Sequence, residues 1–178
     1  MNFQTKNICL AVVFVCIVAS GPARSQNAAR IKLADYVASC VSVWSKAPDA
    51  DAKLGALGLQ NAGGPAVSEF VVGKTALRAY VDGGHKITFN TATTDFTDGR
   101  AFYCDVNFQA EFTRASLEEM EKASDLDGQI FNLGPLTMGR WKTRGVQSAI
   151  FVKSIITKTN LTLSLEKFVA AGAAPPAK

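Results

Sequence analysis

The sequence predicts one α+β domain, in which an N-terminal helix packs on one face of an antiparallel sheet and a short helix is inserted between strands. Three observations predict this fold. Apolar residues recur with helical spacing between Leu33 and Trp44, they alternate with polar residues in Ala101–Phe108, and glycine-containing turns separate further alternating segments. One disulfide is expected to join the helix to the sheet.

The first predicted helix carries its apolar residues on one continuous stripe. They stand at i, i+3, i+4, i+7, i+8 and i+11, and they are Leu33, Tyr36, Val37, Cys40, Val41 and Trp44. Pro48 marks the end of this helix. Cys40 therefore lies in the middle of the face that should be buried.

The stretch from Pro48 to Pro65 is rich in Ala, Gly and Asp and contains no aromatic residue. A short helix around Ala50–Leu57 is compatible with it, but Gly55 and Gly58 weaken the helix propensity. We therefore expect a surface connection. Connections of this length are uncommon in compact domains, so the stretch is also a candidate partner-binding segment or lid.

Residues 67–109 are expected to form β-structure. Asp82-Gly83-Gly84 predicts a tight hairpin turn between two alternating segments. Thr91–Gly99 is polar and is expected to be a loop. It leads into the strand Ala101–Phe108, whose apolar face consists of Phe102, Cys104, Val106 and Phe108.

The second half of the chain combines a short helix with further strands. Ser116 and Glu119 have capping-box spacing, which predicts a helix over Ser116–Ala123 that is ended by Asp127-Gly128. Turns are expected at Gly134-Pro135 and 157–160, and strands at 139–153 and 160–168.

Residues 1–25 are interpreted as a secretory signal peptide. Lys6 precedes the apolar run Ile8–Ala19, and Ala23-Arg24-Ser25 has small residues at both positions that a signal peptidase requires. The run is shorter than the about 20 apolar residues of a transmembrane helix. Two alternatives stay open: an uncleaved membrane anchor, and a lipoprotein acylated at Cys16.

Cleavage after Ser25 would leave 153 residues, the size of one domain, which we place at 26–168 with a disordered tail at 169–178. The protein is then expected in the periplasm or outside the cell, without a stable membrane span. Loss of Lys6 and Arg24 leaves 17 basic and 15 acidic residues, a net charge of +2. This weak bias argues against a nucleic-acid partner, which requires a clustered basic face.

Cys40 and Cys104 are the cysteines that remain after the leader is removed. Both lie on predicted buried faces, and in an exported chain two such cysteines are expected to oxidise to a disulfide. Without C-x-x-C spacing, the pair has no redox signature. Two separate buried thiols are the alternative.

The sequence contains no complete catalytic or ligand-binding motif. Gly73-Lys74-Thr75 resembles the end of a P-loop, but Ser68 stands where that motif requires glycine. His85 is the sole histidine and lies beside a predicted turn, which argues against a zinc site or a Ser-His-Asp triad. No catalytic residue, metal ion or cofactor is expected.

Arg140, Lys142 and Arg144, here called the basic strip, form the candidate partner-binding feature. On a strand these three cations share one face, while Trp141 points inward. Such a row could bind an acidic protein surface or an anionic glycan or lipid. A solvated outer face is the alternative.

These observations favour an exported, non-enzymatic binding or envelope-associated module. Two alternatives remain. One is a small hydrolase or carbohydrate-active enzyme that uses paired carboxylates, which lie about 5 to 10 Å apart in such enzymes. The other is a structural component that associates with itself through an exposed edge strand.

Overall fold

The computed structural model describes residues 31–63, 66–70, 73–84, 86–144 and 149–172, and gives only the backbone of 66–70 and 73–74. The predicted signal peptide, its cleavage site and His85 lie outside these ranges. The helices are α1 (Leu33–Trp44), α2 (Ala50–Ala56) and α3 (Arg114–Ala123). The strands are β1 (Leu59–Asn61), β2 (Ala66–Phe70), β3 (Gly73–Asp82), β4 (Ile87–Phe96), β5 (Gly99–Phe108), β6 (Leu126–Leu133), β7 (Leu136–Thr143), β8 (Phe151–Ile156) and β9 (Leu161–Ala170).

These strands form one antiparallel sheet in the order β1-β3-β4-β5-β9-β8-β7-β6, and β2 also pairs with β3. The predicted α+β class is confirmed, with the N-terminal helix, the inserted helix and the disulfide. Two meanders make up the sheet: β3-β4-β5 precedes α3, and β6-β7-β8-β9 follows it. The meanders join where β5 pairs with β9, from Gly99 opposite Ala170 to Phe108 opposite Leu161.

Helix α1 packs its apolar stripe against β4 and β5. The rings of Tyr36 and Phe108 meet edge to face with centroids 4.8 Å apart. Cys40 and Cys104 are joined by a disulfide, with their Cα atoms 5.9 Å apart, and neither side chain is exposed beyond 1%. The predicted bridge between the first helix and the sheet is therefore present.

The C-terminal end of α1 is also fixed to β5. Trp44 Nε1 donates a hydrogen bond of 3.3 Å to the backbone carbonyl of Tyr103. The Trp44 ring lies 6.0 Å from that of Phe102. This helix is thus held along its length by aromatic contacts, a covalent bond and a hydrogen bond.

The stretch after Pro48 is more ordered than the sequence indicates. It contains α2 and β1 rather than an irregular connection, and β1 pairs with the end of β3. Leu54 and Leu59, exposed by only 1% and 4%, anchor this helix and strand in the core. Burial of two leucines outweighs the low helix propensity of the surrounding glycines.

The predicted loop Thr91–Gly99 is wrong, because β4 runs through it to Phe96 and the turn begins at Thr97. Threonine is β-branched and suits a strand although it is polar. Thr94 and Thr75 lie opposite each other, and their buried hydroxyl oxygens are 2.9 Å apart. A hydrogen bond across strands here replaces the expected contact with solvent.

The boundaries of α3 and β9 also differ from the prediction. Helix α3 starts at Arg114 with Thr113 as its N-cap, and Ser116, expected to be the cap, instead accepts the Thr113 backbone N–H at 3.4 Å. Asp127 and Gly128 lie inside β6 rather than ending the helix. Strand β9 extends to Ala170, two residues past the expected end of the domain.

Candidate binding surface on the open face of the sheet

The two faces of the sheet have different neighbours. Helices α1 and α3 pack against one face, as the contacts of Cys104 and Phe108 with α1 establish for β5. Side chains alternate between the faces, so Tyr103 and Asp105 point to the opposite side. We call that side the open face.

Large apolar side chains are exposed on the open face. In the described ranges, seven large apolar residues are exposed, by between 37% and 62%. Strand alternation and register place every one of them on the open face. They are Leu77, Tyr103, Phe131, Leu133, Phe151, Ile155 and Phe168. Such a concentration on one side differs from the scattered apolar residues that are normal on protein surfaces.

One row of the open face runs across most of the sheet. Its members are directly opposite one another on neighbouring strands: Lys142, Phe151, Glu166, Tyr103, Ala92 and Leu77. The row joins the basic strip to the aromatic side chains in the centre of the sheet. A ligand that lay along it would meet a cation at one end and apolar groups at the other.

Tyr103 separates two shallow depressions on this face, each of about 460 Å³. One extends towards Leu77 and Asn90, and the other towards Phe151 and Phe168. Their volume is within the range that holds small molecules in proteins, and both combine apolar walls with carboxylates. Asp105 lines the first, and Asp98 and Glu166 line the second.

The basic strip is divided by the structure. Arg140 and Lys142 are exposed on the open face of β7, and neither is ion-paired with another described residue. Arg144 follows the end of β7, and its Nε lies 3.9 Å from Asp125 Oδ1. Trp141 points to the helix side and is 3% exposed, as predicted.

Lys153 adds a cation that the sequence did not single out. It lies opposite Arg140 on β8, and its Nζ is 2.8 Å from Glu166 Oε1. The pairing becomes visible only once the register of β7, β8 and β9 is known. Because the Glu166 carboxylate is already engaged by Lys153, its availability to a ligand cation is reduced.

Two of the carboxylates that a hydrolase or a metal site could use are held in ion pairs. Asp95 contacts Arg100, and Glu118 binds Arg114 at 2.8 Å. Within the described ranges, no three His, Cys, Asp or Glu side chains are grouped so that they could hold a metal ion. Thr75, from the partial P-loop motif, has its hydroxyl bonded to Thr94.

No helix of the described ranges is long and apolar enough to cross a bilayer. Comparison with protein-family models, with curated proteins and with solved structures finds no match to this chain.

Proposed function

We propose that this chain is an exported, non-enzymatic binding domain, and that the open face of its sheet is the surface that meets the partner. One observation carries the proposal: the seven exposed large apolar side chains of the described ranges share that face. Exposing them together to water is unfavourable, and a partner that covers them recovers the free energy of burial.

The charges on the open face favour an anionic partner. Arg140 and Lys142 are two cations on adjacent outward positions of β7, without an ion pair to any described residue. Lys142 is directly opposite Phe151, so a charged contact and an aromatic contact are available side by side. An acidic protein patch, or an anionic glycan or lipid, matches this combination.

The buried disulfide supports export. Bridges such as Cys40–Cys104 form and persist in oxidising compartments and are rare in the reducing cytosol. The signal-peptide pattern in residues 1–25 points the same way.

Photo-crosslinking tests the proposed surface. The photoreactive amino acid p-benzoylphenylalanine replaces Tyr103 or Phe151 in the full chain, expressed in its own host, and Lys122 on α3 serves as the control position. We expect covalent adducts from the two open-face positions and none from Lys122. Adducts from Lys122 alone, or from no position, would contradict the proposal. A homodimer as the adduct would favour the self-associating alternative.

Charge reversal tests the role of the basic strip. Arg140→Glu combined with Lys142→Glu should remove the crosslinked anionic partner. Lys32→Glu with Lys122→Glu is the matched control, because it makes the same change in net charge at exposed positions just before α1 and in α3. If the Arg140→Glu, Lys142→Glu variant retained every adduct, the open-face cations of the basic strip would have no part in binding.

A further inference from the structure

The hairpin of β6 and β7 ends in an apolar tip. Leu133 and Leu136 are opposite each other at the end of the two strands, and Gly134-Pro135 forms the turn between them. Gly134 has φ +59°, which glycine adopts without strain. Leu133 is 62% exposed, the highest value among the large apolar side chains of the described ranges. A tight turn therefore projects leucine from one corner of the sheet.

Polarity changes in steps along this hairpin. Immediately behind the tip, an apolar row crosses three strands and consists of Phe131, Met138 and Ile155. The next row holds Gln129, Arg140 and Lys153, and the row after it holds Asp127, Lys142 and Phe151. Lys158 is exposed in the turn between β8 and β9, at the same end of the sheet as the leucine tip. Cations thus lie behind and beside an apolar end.

The spacing matches the interface of a lipid bilayer. Arg140 is four positions after Leu136, which is about 13 Å at the usual rise of a strand. Apolar groups of peripheral proteins sink roughly 5–10 Å into the boundary between head groups and acyl chains. With the tip at that depth, Arg140 reaches the level of the lipid phosphates, where each cation adds affinity for anionic lipid.

We infer that the β6–β7 hairpin is a membrane-contact element: Leu133 and Leu136 insert into the interface of an anionic bilayer, and Arg140 and Lys142 bind lipid phosphates. This inference rests on the proposed function and names the partner. Asp127, opposite Lys142, and Glu166, paired with Lys153, are the acidic groups of the same region. Together with Arg140, Lys142, Lys153 and Lys158 they leave it positively charged.

The arrangement favours a membrane over a protein partner. Protein interfaces surround an apolar centre with a polar rim on all sides. Here the apolar groups occupy the end of the hairpin and the cations follow along its axis, which is the order of layers that an anionic bilayer presents. The tip is also at the margin of the sheet, where β6 is the edge strand.

Vesicle sedimentation tests the inference. The mature chain, residues 26–178, is mixed with vesicles of phosphatidylcholine containing about one third phosphatidylglycerol, and with vesicles of phosphatidylcholine alone. Binding is expected to the anionic vesicles and to weaken as salt is added. Leu133→Asp should lower the partition coefficient by roughly tenfold. Arg140→Gln with Lys142→Gln should lower it by roughly tenfold or more and abolish the preference for anionic lipid.

Ala52→Asp is the control. Ala52 is exposed on α2, outside the open face, and its substitution adds the same charge as Leu133→Asp, so vesicle binding should be unchanged. A second readout places the fluorophore NBD on a cysteine introduced at position 133 or 52. Its emission should shift to the blue with anionic vesicles at 133 only.

Three results would overturn the inference: no binding of the wild-type chain, undiminished binding of Leu133→Asp, or equal loss with Ala52→Asp. If the vesicles are not bound but crosslinks still form at Tyr103 and Phe151, the membrane inference fails and the proposed function stands. If no crosslinks form but vesicle binding behaves as described, the membrane inference stands. Only the proposal that the whole open face meets a partner is then wrong.

Discussion

The indole ring of Trp141 lies directly over Gly139, its neighbour on the helix-side face of β7. A Cβ atom at position 139 would overlap the ring, which is held in the core with 3% exposure. The ring of Trp141 therefore fills the space that a side chain at position 139 would occupy.

Gly139→Ala should destabilise the protein, because the ring cannot move without disturbing the core. Overpacking of this kind costs roughly 1–3 kcal/mol in free energy of unfolding. Gly55→Ala is the control, since its added methyl group meets nothing within 4 Å. In α2 this substitution should raise the free energy of unfolding by roughly 0.5–1 kcal/mol. Denaturation with urea measures both. An unchanged midpoint for Gly139→Ala would show that the ring has another position.

Removal of the disulfide should cost about 4 kcal/mol in the chain-entropy model. The two cysteines are 64 residues apart, so loss of the bridge greatly increases the conformational entropy of the unfolded chain. Cys40→Ala with Cys104→Ala, compared with wild type in urea, measures this loss. Alkylation and mass spectrometry of the folded, unreduced mature chain should find no free thiol. Two modified cysteines in that experiment would disprove the bridge.

Tyr36 should make the protein sensitive to alkali. Burial raises the pKa of Tyr36 from 10.0 to about 12, with smaller contributions from Asp82 and Asp35. Below pH 10 the phenol is protonated in both states and the stabilisation is fully present. Between pH 10 and 12 the unfolded chain loses the proton first, so the stability falls. Tyr36→Phe should remove this component from urea titrations across that range; an identical decline in both proteins would exclude Tyr36 as its source.

Removal of the buried hydroxyl groups of Ser154 and Thr94 should have different effects on the free energy of unfolding. Ser154 is 1% exposed, and its Oγ makes no hydrogen bond with a described group, whereas Thr94 Oγ1 is bonded to Thr75. Ser154→Ala should leave stability unchanged or raise it by about 1 kcal/mol. Thr94→Val should lower it by about 1–3 kcal/mol, because Thr75 loses its partner. Thermal and urea denaturation distinguish the two. Equal losses would mean that Ser154 is satisfied after all.

Local patterns predicted much of the fold. The apolar stripe from Leu33 to Trp44 and the alternation around Cys104 indicate directly which side chains are buried. Each pattern depends only on the period of its own segment. The polar run from Thr91 predicts a loop but forms a strand, because the Thr94 hydroxyl is satisfied by Thr75 on the neighbouring strand, which no local pattern reveals.

The candidate surface could be predicted only in part. Arg140 and Lys142 stand out in the sequence because they alternate within a few residues. Phe151 and Tyr103 were missed, because they become members of one face only through the pairing of β8 and β5 with β9. Phe151 and Ile155 alternate with the buried Val152 and Ile156, so this strand is apolar on both sides. A strand with apolar residues on both sides indicates that its second face is either covered by another group or exposed as an apolar surface.

The position of β9 determines when folding of the sheet can be completed. It comes after the other described strands in chain order, yet it lies between β5 and β8 in the interior of the sheet. Until residue 170 has been synthesised, β5 and β8 both present unpaired edges. The two meanders can therefore join only after residues 161–170 have been made, and chaperones that shield open strand edges can act until then.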